Sequence, residues 1–415
     1  MGALGCPGAS ARVTESVIIF SAMNRRQFLS SSSLAVIALQ RGSASAAPVA
    51  PTSSKPVLMK LGCQSAPTND EHLAYLARYG VKNICRYPAT AAGRGDDRAW
   101  ATVDALSRMK DLATKHGISV DCVGPPLLES SYIDKEQHPA IMLAQSPERD
   151  RDIETIQTLI RNCARVGLPS IKYNMSILGV LRSGTQHGRG DEMDAVWKLS
   201  DAQAKLQTDV VVGGHDDNAT GKNVAISQPT RGLTRAGHVD ADAFWERITY
   251  FLDRVIPVAN EYKIRMACHP QDPGVPPEGY MGIDRVLGTV DGLKKFIKIQ
   301  ESPYHGLNFC QGTVSEMLAD PGTEIYDVIR YFGTRKKIFN VHFRNIRGHR
   351  NDFVEVYPDE GDVNMVKAIQ VYREVGYEYM LMPDHVPTAA NDPGGLQSFA
   401  YCYGYIRGLI QSLPA

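Results

Sequence analysis

The chain has 415 residues, of which 43% are apolar and 22% are charged, so it is long enough for one large core and its composition argues against intrinsic disorder. Its 45 basic and 45 acidic residues cancel, and it has no basic stripe interleaved with aromatic residues, which argues against nucleic acid as a partner. A small polar substrate fits this composition better.

Residues 1–47 are predicted to be a targeting segment rather than part of the fold. The dipeptide Arg25-Arg26 precedes a modest apolar stretch at residues 34–39 and then a small-residue pattern at 44–46. This order resembles a twin-arginine export signal. We therefore expect recognition by the twin-arginine export machinery and a periplasmic or exported protein. The apolar stretch is too short to span a bilayer, so no stable membrane anchor is expected.

Two alternatives concern this targeting segment. Translation could start at Met23 instead of Met1, which would make residues 1–22 an upstream leader. The two arginines could also stand by chance before an Ala/Ser-rich linker. The sequence leaves both alternatives open.

After a Pro/Ser-rich linker at residues 48–56, residues 57–415 are predicted to form a single α/β catalytic domain. Short apolar runs alternate with amphipathic segments, which indicates parallel strands connected by helices. The predicted strands span residues 57–63, 81–85, 118–123, 170–174, 264–269, 306–310, 338–342 and 379–384. The predicted helices span residues 71–79, 96–116, 146–166, 240–258, 290–300, 324–332, 363–375 and 396–413. Eight such units favour a closed (β/α)8 TIM barrel.

The segment at residues 181–239, after the fourth strand, lacks the periodicity of the rest of the domain. Gly, Asp, Thr and His accumulate there, and a loop of this length within a compact domain is usually functional. We interpret it as a long insertion at the barrel mouth that acts as a lid or as a contact in a homo-oligomer. Its three histidines, His187, His215 and His238, are expected to be surface residues rather than ligands.

The fourth strand carries two polar residues, Lys172 and Asn174, on one side. If that side faces the barrel mouth, both side chains would contact the substrate. The alternative is an exposed lysine and a turn asparagine.

Four successive strands, the fifth to the eighth, each deliver one potential metal ligand at the downstream end. His269, Cys310, His342 and Asp384 are separated by 41, 32 and 42 residues, which is roughly the length of a strand, loop, helix and return loop. In a (β/α)8 barrel the C-terminal ends of the strands converge on one mouth. Taken singly, each of these residues could be a core or turn residue. Together they predict a site for one divalent cation.

Five motifs follow one another along the second half of the chain. They are His269-Pro270-Gln271-Asp272-Pro273 with Gly279, Asn308-Phe309-Cys310-Gln311-Gly312-Thr313, Val341-His342-Phe343-Arg344-Asn345, Glu355 with Gly361-Asp362, and Pro383-Asp384-His385. In this order they resemble the mannonate dehydratase family, and the resemblance covers most of residues 57–413. It implies a xylose-isomerase-like barrel that usually uses Mn²⁺ to convert D-mannonate into 2-keto-3-deoxygluconate. It also implies metal ligation by the four residues that the spacing selects.

The chain departs from that family pattern at two places. The family has Arg before its Pro-Asp-His-Gly run, where this chain has Met382, and Val386 replaces the final Gly. A Gly-Tyr pair whose tyrosine is thought to take part in catalysis appears here as Gly394-Gly395. The resemblance therefore predicts the family and leaves the natural substrate and its stereochemistry open.

Three residues near the predicted ligands are candidates for the chemistry of dehydration, which removes a proton beside a carboxylate and expels a hydroxyl. His385 follows a ligand directly and titrates near neutrality, so we predict it to be the general acid or base. Arg344 is predicted to bind the substrate carboxylate in bidentate fashion. Asp272 is predicted to orient His269 or a bound hydroxyl. The alternatives are a loop histidine bonded to backbone and an arginine tied to Asp362 or Glu355.

Two other functions are compatible with such a barrel. A sugar isomerase or epimerase of the same superfamily usually binds its metal with two Glu, an Asp and a His, and no Glu stands at the end of these four strands. The other hypothesis is an exported protein that binds a sugar acid without turnover. The metal is expected to be Mn²⁺ from the resemblance, although a thiolate ligand favours Fe²⁺, Co²⁺ or Zn²⁺.

Overall fold

The computed structural model describes residues 55–64, 69–88, 101–125, 127–205, 214–217, 222–225 and 233–414, without the side chains of residues 205, 214–217 and 222–225. The predicted export signal and most of the predicted linker lie outside the described residues. Within the described ranges, none of the helices combines the length and the apolar character that crossing a membrane requires.

Eight parallel strands close into a barrel, which confirms the predicted (β/α)8 fold. In chain order the strands are β1 (Lys60–Cys63), β2 (Asn83–Arg86), β3 (Ser119–Val123), β4 (Ser170–Asn174), β9 (Arg265–His269), β10 (His305–Cys310), β11 (Ile338–His342) and β14 (Met380–Met382). Each strand pairs with its neighbours along the chain, and β14 pairs with β1 to close the ring. All eight lie where the apolar runs predicted them.

The described helices include eight that the amphipathic pattern predicted and three short ones that it did not predict. They are α1 (Asp70–Arg78), α2 (Val103–Lys115), α3 (Ala140–Leu143), α4 (Glu148–Val166), α5 (Leu199–Lys205), α6 (Ala241–Tyr262), α7 (Val290–Phe296), α8 (Gln311–Ser315), α9 (Pro321–Thr334), α10 (Met365–Glu374) and α11 (Leu396–Ser412). The three that the pattern did not predict are α3, α5 and α8. Helix α6 shows why the pattern works: Asp240 caps its N-terminus by accepting from the Ala243 amide, and its apolar stripe is buried.

The predicted start of α2 at Asp96-Asp97 is wrong. The helix begins at Val103, and the Thr102 side chain accepts from the backbone N–H of Ala105. A threonine at this position satisfies a donor of the first turn and so defines the start of the helix. Asp96 and Asp97 themselves lie outside the described residues.

A second, antiparallel sheet is built from two loops at the barrel mouth. Strands β5 (Gly184–His187) and β6 (Met193–Lys198) come from the segment after β4, and β12 (Asn345–His349) and β13 (Asp352–Val356) follow β11. They pair in the order β12-β13-β6-β5. A further hairpin, β7 (Gly214–Asp217) and β8 (Lys222–Ala225), lies in the same segment as β5.

No hydrophobic pattern predicts β5 and β6, because their polar residues mask the alternation expected of strands. Both loops leave the C-terminal ends of barrel strands, so this sheet lies on the side of the predicted site. His187 and His238 are exposed, as expected, and the side chain of His215 lies outside the described residues. The lid and oligomer roles of residues 181–239 stay predictions.

The barrel interior contains a small group of sulfur-containing side chains. Cys85, Cys122, Met380 and Met382 form an apolar cluster separate from the main core. Gly62 on β1 permits this packing, because a Cβ at that position would lie 2.8 Å from Cβ of Met380. The glycine therefore provides the space in which Met380 packs across the inside of the wall.

We predict that Gly62→Ala destabilises the fold by about 1–3 kcal/mol, since it overpacks the barrel against Met380. The measurement is the urea concentration at the unfolding midpoint. Gly404→Ala is the control: residue 404 lies inside α11 with open space around its Cβ position, so alanine there should stabilise the helix by up to about 1 kcal/mol. Equal midpoints for the wild type and Gly62→Ala would contradict this account of the barrel interior.

Candidate metal centre

The four predicted ligands converge at the mouth of the barrel. His269, Cys310 and His342 are the last residues of β9, β10 and β11, and Asp384 stands two residues beyond the end of β14. Register pairs Cys310 with His342 directly. One donor atom from each residue lies within 4.8 Å of the others, and the three strand-end residues are buried. The structure thus brings together the whole set selected by the spacing.

The two imidazoles are oriented so that one nitrogen of each faces the centre. His269 donates from Nδ1 to the Pro270 carbonyl at 2.6 Å, which leaves Nε2 facing Nδ1 of His342 at 3.2 Å. The same Nδ1 lies 3.2 Å from Oδ2 of Asp384, and Sγ of Cys310 lies 3.7 Å from that oxygen. Two nitrogens, one sulfur and one oxygen form a compact donor set of the kind that binds a transition metal ion.

The predicted role of Asp272 in orienting His269 is wrong, because the Pro270 carbonyl has that role. Both carboxylate oxygens of Asp272 accept from other groups: Oδ1 from Arg182 at 2.6 Å, and Oδ2 from Arg344 at 2.6 Å and from Thr313 at 3.0 Å. Asp272 therefore belongs to a neighbouring network of charged groups. A role towards a bound hydroxyl stays a prediction.

The outer nitrogen of His342 has polar partners that the sequence analysis missed. Nε2 lies 2.8 Å from Oε1 of Gln64 and 3.1 Å from the amide nitrogen of Asn308. Such partners fix the ring of a metal-binding histidine. A positional signal for both existed: Gln64 follows the last residue of β1, and Asn308 lies two residues before Cys310, on the same face of β10.

The protonation states of the ligands suit a cation. Burial lowers the pKa of His269 to about 4, so its imidazole is neutral at neutral pH. Burial alone would raise the pKa of Asp384, but the charges of His342, His385 and Arg344 outweigh it and hold that pKa well below its usual range. A neutral imidazole and an ionised carboxylate are the forms that coordinate metals. The donor set therefore fits a divalent ion.

A cluster of charged side chains supports this centre from the side of the second sheet. It contains Arg182, Asp272, Glu316, Arg344 and Glu355, all of them buried. Arg182 connects Asp272 to Glu355, and Arg344 contacts Glu316 at 2.7 Å and Glu355 at 2.9 Å. Burial and the nearby charge of Asp272 raise the pKa of Glu316 to about 8. Glu316 is therefore mostly protonated at neutral pH, and the charges of Asp272 and Glu355 compensate those of the two arginines.

Arg344 connects the charged cluster to the predicted ligands. Its Nε lies 3.4 Å from Oδ2 of Asp384, while its terminal nitrogens contact Asp272, Glu316 and Glu355. The ion pair with Glu355, which the sequence offered as the alternative, is therefore present. Binding of a substrate carboxylate by Arg344 stays a prediction. The carboxylate would have to share the terminal nitrogens of Arg344 with the acidic side chains that already contact them.

His385 stands between the charged cluster and the ligand Asp384. Its Nδ1 lies 2.7 Å from Oε1 of Glu355 and its Nε2 lies 3.7 Å from Oδ2 of Asp384. Burial opposes the charged form of His385, but the carboxylates of Glu355 and Asp384 prevail and raise its pKa to about 9. The carboxylate partner, rather than backbone, fixes this ring, and the side chain remains 20% exposed towards the mouth.

The polar residues of β4 lie inside the structure. Lys172 and Asn174 are 4% and 5% exposed, so the alternative of an exposed lysine is wrong. Asn174 pairs in register with the ligand His269, and the charge of Lys172 contributes to the lowered pKa of His269, after burial. Both residues therefore lie beside the ligand cluster, and contact with a substrate stays a prediction.

The structure shows the surroundings of the two sites at which the chain departs from the family pattern. Met382 lies in the sulfur cluster of the barrel interior, directly paired with His342. Gly394 and Gly395 have φ angles of 84° and 68° just before α11. A tyrosine at residue 395 would be strained by this left-handed backbone.

We predict that His342→Ala weakens the binding of Mn²⁺ by more than about 100-fold, because it removes one donor nitrogen and the contact that holds the carboxylate of Asp384. Titration of the metal-free protein and elemental analysis of the purified protein provide the measurement. The control is His349→Ala, which changes an exposed histidine of β12. Stoichiometric, tightly bound metal in His342→Ala would show that the ion binds elsewhere.

Comparison with known proteins identifies the family. The family model of D-mannonate dehydratase (UxuA) matches residues 72–415. Mannonate dehydratase 2 of Halalkalibacterium halodurans is 27% identical over 362 residues, covering 84% of this chain and 97% of that protein. Mannonate dehydratase of Shouchella clausii is 30% identical over 300 residues, covering 69% and 77%. A crystal structure of mannonate dehydratase from Streptococcus suis shares the fold, with a TM-score of 0.64 and 20% identity over 85% of this chain and 94% of that one. The chain belongs to the mannonate dehydratase family of hydro-lyases.

Proposed function

We propose that this protein is a metal-dependent dehydratase of a sugar acid, with D-mannonate as the first candidate substrate and 2-keto-3-deoxygluconate as the product. The observation that carries the proposal is the convergence of four donor atoms within 4.8 Å at the barrel mouth, beside a histidine held by a carboxylate. A β-elimination needs both a Lewis acid and a group that transfers protons.

The ion proposed for the centre is Mn²⁺, held by His269, Cys310, His342 and Asp384. When bound, a divalent ion would supply a Lewis acid for the negative charge that develops on the substrate carboxylate. The sulfur of Cys310 also suits Fe²⁺, Co²⁺ or Zn²⁺, so metal analysis is needed to identify the ion in the native protein.

His385 is the proposed base. Its Nδ1 is held by Glu355, which leaves Nε2 to accept the proton from C2 of the substrate. Because the charges of Glu355 and Asp384 raise the pKa of the ring to about 9, the neutral form that a base requires would be favoured once a cation bound to Asp384 offsets one of those charges. Glu355 positions the ring and favours the imidazolium that forms, and Arg344 holds Glu355 in turn. This arrangement keeps the base in one orientation beside Asp384.

Lys172 is proposed to bind the anionic substrate. Its ammonium is buried, and within the described part of the chain no carboxylate lies within ion-pair distance of it. A buried cation without a counter-charge is costly, so an anionic ligand that lies beside it would be stabilised. Asn174, next to His269 in the sheet, offers an amide to a substrate hydroxyl.

A screen of aldonates with Mn²⁺ tests the function. We expect D-mannonate or a stereoisomer to give a 2-keto-3-deoxy acid, detected by mass spectrometry and by a colour reaction for such acids. His385→Asn should lower kcat by about 100-fold or more, as the loss of a general base does, while Mn²⁺ stays bound. An isomeric sugar as the product would support the epimerase instead, and tight binding without any product would support a binding protein.

We further propose that the protein is exported through the twin-arginine pathway. The support is the order of Arg25-Arg26, the apolar stretch and the small-residue pattern in the sequence. We predict that the double change Arg25→Lys and Arg26→Lys retains the protein in the cytoplasm, as judged by fractionation of cells. Arg41→Lys, which leaves the pair intact, is the control, and unchanged export of the double variant would refute the proposal.

A further inference from the structure

Tyr87 lies across the end of the barrel wall and reaches a residue two strands away. It follows β2 directly, and Gly124 stands just beyond the end of β3. A Cβ at residue 124 would overlap Cε1 of the Tyr87 ring, so the ring lies where a side chain of residue 124 would be. The hydroxyl oxygen of Tyr87 thereby comes within 3.2 Å of Nζ of Lys172 on β4.

The direction of this hydrogen bond determines what the phenol can do. An ammonium group has three donors and no acceptor, so Lys172 must donate and the oxygen of Tyr87 must accept. The phenolic proton is therefore not used by Lys172. It is available to another acceptor, and the side chain of Tyr87 is partly exposed.

The Tyr87-Lys172 pair faces the same mouth as the predicted ligands. Around the barrel, β2, β3 and β4 carry Tyr87, Gly124 and Lys172, and the next strands carry His269, Cys310 and His342. Burial, and then nearby negative groups that include Asp384, raise the pKa of Tyr87 well above its usual value. The phenol therefore stays protonated at neutral pH, as a proton donor must.

We propose, on the basis of the dehydratase function above, that Tyr87 is a catalytic residue that donates its phenolic proton to the departing hydroxyl, and that Lys172 positions it. Gly394 and Gly395 stand in the loop before α11, and this role needs no residue of that loop.

The step balances without any further reactant. His385 takes the proton from C2, the electron pair of that C–H bond forms the C2–C3 double bond, and the C3–O bond breaks. The departing oxygen takes the proton of Tyr87 and leaves as water. The ammonium of Lys172 stabilises the phenolate. When the enol becomes the 2-keto acid, its O–H proton returns to the phenolate and His385 gives the proton it took from C2 to C3, so both side chains regain their starting states. One aldonate therefore yields one keto-deoxy acid and one water.

A leaving group that needs no proton separates this role from a structural one. Fluoride departs as an anion, whereas hydroxide requires protonation. We expect Tyr87→Phe to lower kcat for the aldonate by about 100-fold or more, the usual contribution of a general acid. For the analogue that carries fluorine instead of the hydroxyl at C3, kcat should stay within about threefold of the wild type, measured as released fluoride. Mn²⁺ affinity should not change.

Further variants make the test specific. Lys172→Met should raise KM for both substrates, because Lys172 is also proposed to bind their carboxylate, and should lower kcat selectively for the hydroxyl substrate, since the phenolate loses its stabilising charge. Gly124→Ala should also show it, because the new methyl group displaces the ring. His385→Asn should lose activity towards both substrates, because both require removal of the proton at C2. Tyr405→Phe, which changes a tyrosine of α11, is the matched control and should behave like the wild type.

The outcomes separate this inference from the function on which it rests. If the wild type releases neither a keto-deoxy acid nor fluoride from any such substrate, the dehydratase function fails and this role for Tyr87 fails with it. If the wild type is active and Tyr87→Phe keeps kcat within about threefold for the hydroxyl substrate, only the role of Tyr87 is refuted. An equal loss towards both substrates would refute it as well, because that result indicates a purely structural contribution.

Discussion

The closure of eight parallel strands into one ring is the constraint on which this site depends. Because all of its pairings are parallel, every strand ends at the same mouth, and because β14 pairs with β1, residues far apart in the chain become neighbours. The register then fixes which atoms meet: Cys310 lies opposite His342, and His342 lies opposite Met382, two residues before Asp384. The donor set is thus a consequence of strand order and register rather than of any local motif.

Electrostatic compensation is the second requirement of the site. Two buried carboxylates, Asp272 and Glu355, are balanced by two guanidinium groups from different loops, while Glu316, whose pKa is raised to about 8, is mostly protonated at neutral pH. Loss of one partner would leave a buried charge uncompensated, which typically costs about 3–5 kcal/mol. The same network holds the proton-transfer group in place, so the stability of the mouth and the orientation of His385 have the same physical origin.

The sequence predicted the barrel, because strand and helix periods alternate cleanly over eight units, and it predicted the four donors, because each ends a strand. It failed where partners come from separate loops. Arg182 lies in a segment without periodicity, and its contacts with Asp272 and Glu355 depend on how two distant loops pair. Tyr87 was missed for a related reason: its relation to Lys172 depends on the absence of a side chain at Gly124, which no pattern of hydrophobicity reveals.

The sheet over the mouth links distant parts of the chain in a way that affects how the protein tolerates sequence change. Phe353 and Glu355 share one face of β13. The guanidinium of Arg182 lies 5.2 Å from the ring centre of Phe353. Glu355 contacts His385. Pairing of Val354 with Val196 and of Phe353 with Trp197 fixes that face. A one-residue slip between β6 and β13 would turn the carboxylate outward. Insertions or deletions inside β6, about 190 residues before the histidine in the sequence, would therefore act like active-site mutations, whereas changes of length at the exposed β5–β6 turn need not alter this register.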